Sequence, residues 1–219
     1  MMTMAALLSG AVFAVVGAAA ERLASVWPAG EASRRSPGWR TLLFALAAGA
    51  GAALLVARAR LPTLALAVDL VMLALMAALA ATDLEQRRLP HLLLDPLIIL
   101  AVAFVPFNPS VRPLDAALGA VAAVAVLWAL SRVVRGGLAT GDLYLTAPLG
   151  LMLGWPTIFI AVFLAGLMSA GASLAMLASG RVGLKSYIPF GPFLVAGAVL
   201  ALLRDPQLLG QLATALPFR

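Results

Sequence analysis

The 219-residue sequence has no cysteine and only one histidine, His91. The absence of cysteine excludes disulfide bonds, thiolate zinc sites and cysteine nucleophiles. A single histidine argues against a histidine-based metal site and against a Ser-His-Asp triad. We therefore predict that the protein uses neither a metal nor a cofactor.

Charged residues are also scarce: they make up 11% of the chain, and hydrophobic residues make up 63%. A soluble domain is nearer half apolar and a quarter charged. Because apolar stretches recur along the whole chain, we predict one all-α, polytopic membrane domain over residues 1–219. The net charge of +6 fits basic loops at a lipid bilayer. No basic patch is interleaved with aromatic residues, so nucleic acid is not an expected partner.

A membrane-crossing helix needs roughly 20 apolar residues. The sequence contains eight candidates, of which the sixth and the eighth are short, and prolines at 62, 90, 113 and 156 mark breaks between them. The first candidate is expected to be a retained span, because no basic stretch precedes it as in a signal peptide. The candidates are residues 4–20, 41–57, 63–82, 92–107, 115–134, 143–155, 157–178 and 190–204.

The lysines and arginines between these spans predict the orientation. If the loops alternate between two sides, ten basic residues lie on one side and five on the other. The ten-charge side is expected to be cytoplasmic, which predicts a multi-pass protein of the inner (cytoplasmic) membrane with both termini outside the cytoplasm. The ten are Arg22, Arg34, Arg35, Arg40, Arg87, Arg88, Arg132, Arg135, Arg181 and Lys185, and the five are Arg58, Arg60, Arg112, Arg204 and Arg219.

Two acidic residues are placed for chemistry. Asp83 ends the third predicted span and Asp142 begins the sixth, so both are expected at the cytoplasmic boundary. Two neighbouring carboxylates cannot both ionise easily, so one keeps a proton while the other stays charged, as acid-base activation of water requires. The structural alternative is that each caps a helix end or pairs with an arginine, and Asp142 suits an N-cap.

Three segments carry a family resemblance. They read Ala-Thr-Asp-Leu-Glu-Gln-Arg-Arg-Leu-Pro-His at 81–91, Ala-Thr-Gly-Asp-Leu-Tyr at 139–144 and Ile-Pro-Phe-Gly-Pro-Phe-Leu at 188–194. In order and spacing they resemble three hallmarks of the type IV prepilin peptidases: an Asp followed by a Leu-Pro turn, a Gly-Asp segment before a later span, and a Pro-Phe-Gly-Pro-Phe-Leu segment opening the last span. The resemblance covers about residues 65–204.

The resemblance implies a membrane aspartic endopeptidase, a hydrolase that cleaves the leader peptide of prepilin-like membrane proteins at the cytoplasmic boundary. Asp83 and Asp142 are then the catalytic pair, facing each other across a cavity lined by the third to sixth spans. The residues expected to support them or to contact substrate are Pro90, Gly141, Tyr144, Phe190 and Gly191.

The chain also departs from the family pattern. Ala139 stands in place of a glycine, Tyr144 in place of a lysine, and His91 in place of Asn or Asp. A phenol can donate a hydrogen bond but supplies no positive charge. A catalytically degenerate homologue that acts as a scaffold in pilus or secretion assembly therefore stays open as an alternative. The short, cysteine-free loop at 21–40 resembles peptidase-only members, and no segment suggests a methyl-donor site.

Two further groups of charged residues need an interpretation. Asp69 shares a helical face with Asp83 but lies about 21 Å along the helix from it, too far for one active site. Asp69 suggests either a proton path, as in a small proton-coupled transporter, or a pairing with a neighbouring span. The sequence has no inverted repeat that would support the transporter.

Glu85, Arg87 and Arg88 are expected to be solvated loop charges.

Overall fold

The computed structural model describes residues 4–27, 36–58, 62–133, 139–180 and 189–203, and every regular element within these ranges is a helix. The predicted all-α class is confirmed, and each of the eight predicted spans corresponds to one helix. The helices are α1 (Met4–Ala24), α2 (Trp39–Arg58), α3 (Thr63–Gln86), α4 (His91–Phe104, continued by a 3-10 turn at Val105–Phe107), α5 (Pro113–Val133), α6 (Thr140–Leu153), α7 (Thr157–Ala178) and α8 (Gly191–Leu202).

Five helices in the described part of the chain, α1, α2, α3, α5 and α7, are long and apolar enough to cross a membrane. This supports the predicted polytopic membrane protein. The 14 residues of α6 and the 12 of α8 are too few to cross a hydrocarbon core of about 30 Å at 1.5 Å per residue. Both short helices bury a large share of their residues against neighbouring helices, so the protein itself shields them.

Prolines mark the starts of four helices, as the sequence predicts. Pro62, Pro90 and Pro156 directly precede α3, α4 and α7, and Pro113 is the first residue of α5. Proline is tolerated there because the first amides of a helix have no intrahelical acceptor in any case.

Helix α3 is the most enclosed of the five long apolar helices. It packs against α1, α2, α4 and α8, while α6 packs against α4, α5 and α8. Helix α8 therefore contacts both α3 and α6. This arrangement brings the last turn of α3 close to the first turn of α6.

Helices α1 and α2 form a tightly packed pair. A Cβ atom at Gly17 would overlap the Phe44 carbonyl oxygen and the Ala48 side chain, so only glycine permits this approach of the two backbones. Small residues at helix contacts are typical of packing in lipid, where close backbone approach provides the van der Waals attraction. The pair then packs as a unit on α3.

The orientation in the membrane stays a prediction, because many of the basic residues on which it rests lie outside the described ranges. These are Arg34, Arg35, Arg60, Arg135, Arg181, Lys185, Arg204 and Arg219.

Cysteine labelling tests the predicted orientation, and the chain suits it because it contains no cysteine. Ser36, before α2, and Ser179, after α7, are expected on the cytoplasmic side, and Ser110, between α4 and α5, on the opposite side; all three are exposed. In intact cells, an impermeant thiol reagent should label Ser110→Cys and leave Ser36→Cys and Ser179→Cys unlabelled until the cells are lysed. The reverse labelling pattern would show that the orientation is wrong.

Candidate active site

Asp83 lies in the last turn of α3 and is buried, with 5% of its surface exposed. The helix continues past the predicted end at residue 82 to Gln86, so Asp83 lies within the helix rather than at its end. Arg87 then closes the helix in the left-handed conformation (φ 54°), and its amide donates to the Asp83 carbonyl oxygen at 2.8 Å.

A backbone amide of α8 holds the Asp83 carboxylate. The N–H of Gly191 donates to Asp83 Oδ2 at 3.0 Å. Gly191 opens α8, so its amide has no acceptor within its own helix and is available to a side chain. A Cβ atom at this position would lie 2.6 Å from Asp83 Oδ2, so the close approach requires glycine.

Asp142 is the third residue of α6 and is only 1% exposed. Its Oδ2 accepts a hydrogen bond from the Ala139 amide at 3.0 Å. Ala139 is the N-cap residue, but the Asp142 side chain does cap the start of α6, as the structural alternative expected. Asp142 reaches back to the N-cap amide, which is one half of a capping box; the other half needs a side-chain acceptor that alanine lacks. One turn later, the Thr146 hydroxyl donates to the Asp142 carbonyl oxygen at 2.6 Å.

The charge of Asp142 acts on the Asp83 carboxyl group across the gap between α6 and α3. Leu89 packs on the start of α6, where its side chain lies 3.0 Å from the position that a Cβ of Gly141 would take. Each carboxylate binds its backbone amide through Oδ2, and Oδ1 makes no hydrogen bond to a described residue. Each buried carboxyl group is thus anchored by one oxygen and keeps the other available as an acceptor.

The structure brings together two of the positions at which the motifs depart from the family pattern. The rings of His91 and Tyr144 meet edge to face, with centroids 5.7 Å apart and an angle of 68° between their planes. His91 Nδ1 is 3.0 Å from Asp95 Oδ1, one turn along α4. This pairing with Asp95 was not predicted, although the spacing of four residues within a helix was a signal for it.

The sequence analysis predicted a site lined by the third to sixth spans and omitted α8. Helix α8 supplies the amide that binds Asp83. Phe190 is the N-cap residue of α8 and packs against the hydrophobic core, and Pro90 precedes α4 in the same way. Phe190 and Pro90 thus lie at the starts of α8 and α4, and their predicted supporting role stays a prediction.

The prediction that Glu85 is a solvated loop charge is wrong. Glu85 lies within α3, its side chain is 11% exposed, and its Oε2 is 3.2 Å from Arg40 Nη1 of α2. No local pattern indicates this pairing, because the two residues are 45 positions apart.

Asp69 lies apart from the two aspartates, as predicted. It is buried in the first half of α3, beside a small cavity whose lining includes Leu55 of α2 and Val199 of α8. The described residues contain no group of three or more His, Asp and Glu side chains placed to hold a metal ion.

Comparison with known proteins gives consistent matches. Residues 70–174, which include both aspartates, match the sequence model of the Type IV leader peptidase family. Proteins named prepilin leader peptidase/N-methyltransferase are similar to the chain. The one from Burkholderia pseudomallei is 34% identical over 130 residues, covering 57% of this chain and 42% of the relative. The one from Bacillus subtilis is 33% identical over 140 residues, covering 61% and 54%. The one from Aeromonas hydrophila is 34% identical over 131 residues, covering 58% and 45%.

The chain thus spans about half the length of the curated relatives it matches. No solved structure matches it significantly.

The contact between Leu89 and Gly141 provides a test of the site's geometry that does not depend on any activity. A Cβ built on Gly141 lies 3.3 Å from the Leu89 Cβ, close to the separation of about 3.5–4.5 Å found in disulfides. The double variant Leu89→Cys with Gly141→Cys is expected to form a disulfide on mild oxidation, measured as loss of thiol labelling and by mass spectrometry. The control pair is Leu89→Cys with Ser110→Cys, which lies beyond the opposite end of α4 and should stay reduced. Equal oxidation of both pairs, or of neither, would contradict this placement of the turn between α3 and α4 against the start of α6.

Proposed function

We propose that this protein is a membrane aspartic endopeptidase, because residues 70–174 match the sequence model of the type IV leader peptidase family and similar proteins are named prepilin leader peptidases. Its substrates are prepilin-like membrane proteins, whose leader peptide it removes. The observation that carries the proposal is the pair of buried carboxylates, Asp83 and Asp142, which come from separate helices and interact with each other. Both lie within the family-matching residues.

The proposed reaction divides two roles between the carboxylates. One is ionised and takes a proton from a water molecule as the water oxygen bonds to the carbonyl carbon of the scissile peptide. The other is protonated and gives its proton to the peptide nitrogen as the carbon–nitrogen bond breaks. One proton is taken up and one is given, so the reaction is a balanced hydrolysis. The amides of Gly191 and Ala139 hold one oxygen of each carboxylate and leave the other for water and substrate.

The substrate class follows from the family. Prepilin-like leaders have a short basic segment followed by an apolar helix. The loops on the proposed cytoplasmic side of this chain are themselves basic, so they do not attract that segment. Recognition is therefore proposed to rest on the apolar helix lying between spans, with the site facing the cytoplasm from the inner membrane.

The catalytically degenerate homologue is the second candidate, and a specific observation favours it. His91 and Tyr144 both differ from the family pattern, follow Asp83 and Asp142 within the same motifs, and contact each other. A scaffold for pilus or secretion assembly would keep the fold and the prepilin-binding surface without cleaving.

Replacing either aspartate by asparagine tests the proposed mechanism. Asp83→Asn and Asp142→Asn keep the side-chain shape but remove the acid-base function, so each is expected to lower cleavage at least about 100-fold. Cleavage is measured by the mobility shift of a co-expressed prepilin, with membrane levels of the enzyme measured in parallel. The matched control is Asp69→Asn, a buried aspartate of the same helix outside the site, which should cleave like the parent. A chelator should have no effect.

Two results would count against this mechanism. Equal cleavage by the parent and by the double Asp→Asn variant excludes an aspartic mechanism. If the parent cleaves no prepilin but the variant Ala139→Gly with Tyr144→Lys does, the degenerate homologue is the correct interpretation.

Gly191→Ala tests the amide that holds Asp83. The added Cβ would lie 2.6 Å from Asp83 Oδ2, so the carboxylate must move away from the Gly191 amide. Hydrogen bonds to charged groups contribute about 1.5–3 kcal/mol, so cleavage is expected to fall roughly 10- to 100-fold. The control is Gly171→Ala on α7, where nothing lies within 4 Å of the added atom. Equal cleavage rates for the two glycine variants would argue against a role for this amide.

A further inference from the structure

Helices α1 and α2 precede the family-matching residues 70–174, yet they make polar contacts with the turn of α3 that carries Asp83. At that end of the bundle the two helices are joined to each other, because the Thr41 hydroxyl of α2 donates to Glu21 Oε2 of α1 at 2.7 Å. Glu21 is buried. The helix pair is therefore fixed at the end where it meets α3.

The first contact to α3 is made by Gln86, the last residue of that helix. Its Nε2 donates to the carbonyl oxygen of Ala24 at 2.7 Å and to that of Trp27 at 2.9 Å. Ala24 is the last residue of α1 and Trp27 lies in the turn after it, where carbonyl groups have no intrahelical donors. One side-chain amide thus ties the end of α3 to the end of α1.

The second contact is made by Arg40 of α2. Its Nη1 lies 3.2 Å from Glu85 Oε2, and its Nη2 lies 3.5 Å from the Leu84 carbonyl oxygen. The side chains of Arg40 and Glu85 are 23% and 11% exposed. Water and salt weaken the attraction between exposed charges. Because both side chains of this ion pair are largely buried, their attraction is stronger than that of an exposed pair.

These contacts fall on the three residues that directly follow Asp83: Leu84, Glu85 and Gln86. On the opposite side, Asp83 itself is bound by the Gly191 amide of α8. The last turn of α3 is therefore held from two sides, by α8 through the carboxylate and by the α1–α2 pair through the residues after it. A catalytic group must be held to within about half an ångström, so the support behind it affects the rate directly.

We propose that the α1–α2 pair positions Asp83 for catalysis and that Arg40 and Gln86 are the positioning residues. The inference rests on the proposed peptidase function. It predicts that loosening these contacts slows the chemical step while substrate binding stays intact, because neither residue is assigned a contact with substrate. A merely structural role predicts instead a loss of stability, with the rate per folded enzyme unchanged.

The experiment uses the full-length protein in lipid vesicles with a purified prepilin. Arg40→Gln and Gln86→Leu are expected to lower kcat roughly 10- to 100-fold while KM stays within about twofold and the thermal midpoint stays close to that of the parent. Amide hydrogen exchange over residues 84–90 should become faster in both variants. The control is Arg132→Gln, which removes a positive charge at the end of α5, a helix that packs on α6 and α7, and should retain the parental kcat.

A second test exchanges the charges of Arg40 and Glu85, and it remains informative if a single variant folds poorly. Arg40→Glu and Glu85→Arg should each lose activity, and the double variant should recover at least half of the lost rate, because the ion pair is re-formed with its sign reversed. Unchanged kcat and unchanged exchange in Arg40→Gln and Gln86→Leu would overturn the proposal. A fall in kcat that only follows the fall in folded protein would overturn it as well.

Hydrogen exchange distinguishes a failure of the positioning role from a failure of the proposed peptidase function. If the parent cleaves no prepilin, the peptidase assignment fails, and exchange at 84–90 still reports whether Arg40 and Gln86 hold the end of α3. If the parent cleaves and exchange does not respond to the variants, only the positioning role fails.

Discussion

The interior of a bilayer has no water to satisfy backbone polar groups, so unpaired amides occur only where helices begin. The two central carboxylates depend on this constraint. Asp83 is bound by the amide of Gly191, which opens α8, and Asp142 by the amide of Ala139, which precedes α6. Helix starts also carry partial positive charge, which favours an acidic side chain there. The positions of both carboxylates therefore follow from where two helices start.

This constraint also gives a reason for the shortness of α6 and α8. A helix that spans the full hydrocarbon thickness has its first amides near water, whereas Pro189 and Gly191 at the start of α8 are buried within the protein. The amide of Gly191 is thus available to the last turn of α3 and shielded from competing water. Helix α6 begins beside Leu89, just after the same turn of α3. Shortness in these helices is consistent with a site at a membrane boundary.

The sequence was sufficient for the features that depend on local patterns. Hydropathy located the eight helices and prolines located four of the breaks, while the catalytic role that the motifs assign to Asp83 and Asp142 stays a proposal. Features that depend on contacts between distant residues were missed. The third helix was predicted to end at residue 82, because a run of charged residues follows. Arg40 of α2 pairs with Glu85, which lets the helix continue to Gln86. Periodicity within one segment carries no information about such a partner.

The contact between His91 and Tyr144 changes how the departures from the family pattern are weighed. Counted along the sequence, His91 and Tyr144 are two independent losses and favour a degenerate protein. In the structure their rings touch, so they form one altered contact, in which a change at one position is matched by a change at the other. The hydrogen bonds that hold Asp83 and Asp142 come from backbone amides and do not involve either ring. Because the amides that support the two carboxylates are separate from this ring contact, His91 and Tyr144 weigh less against the proposed peptidase than two independent losses would.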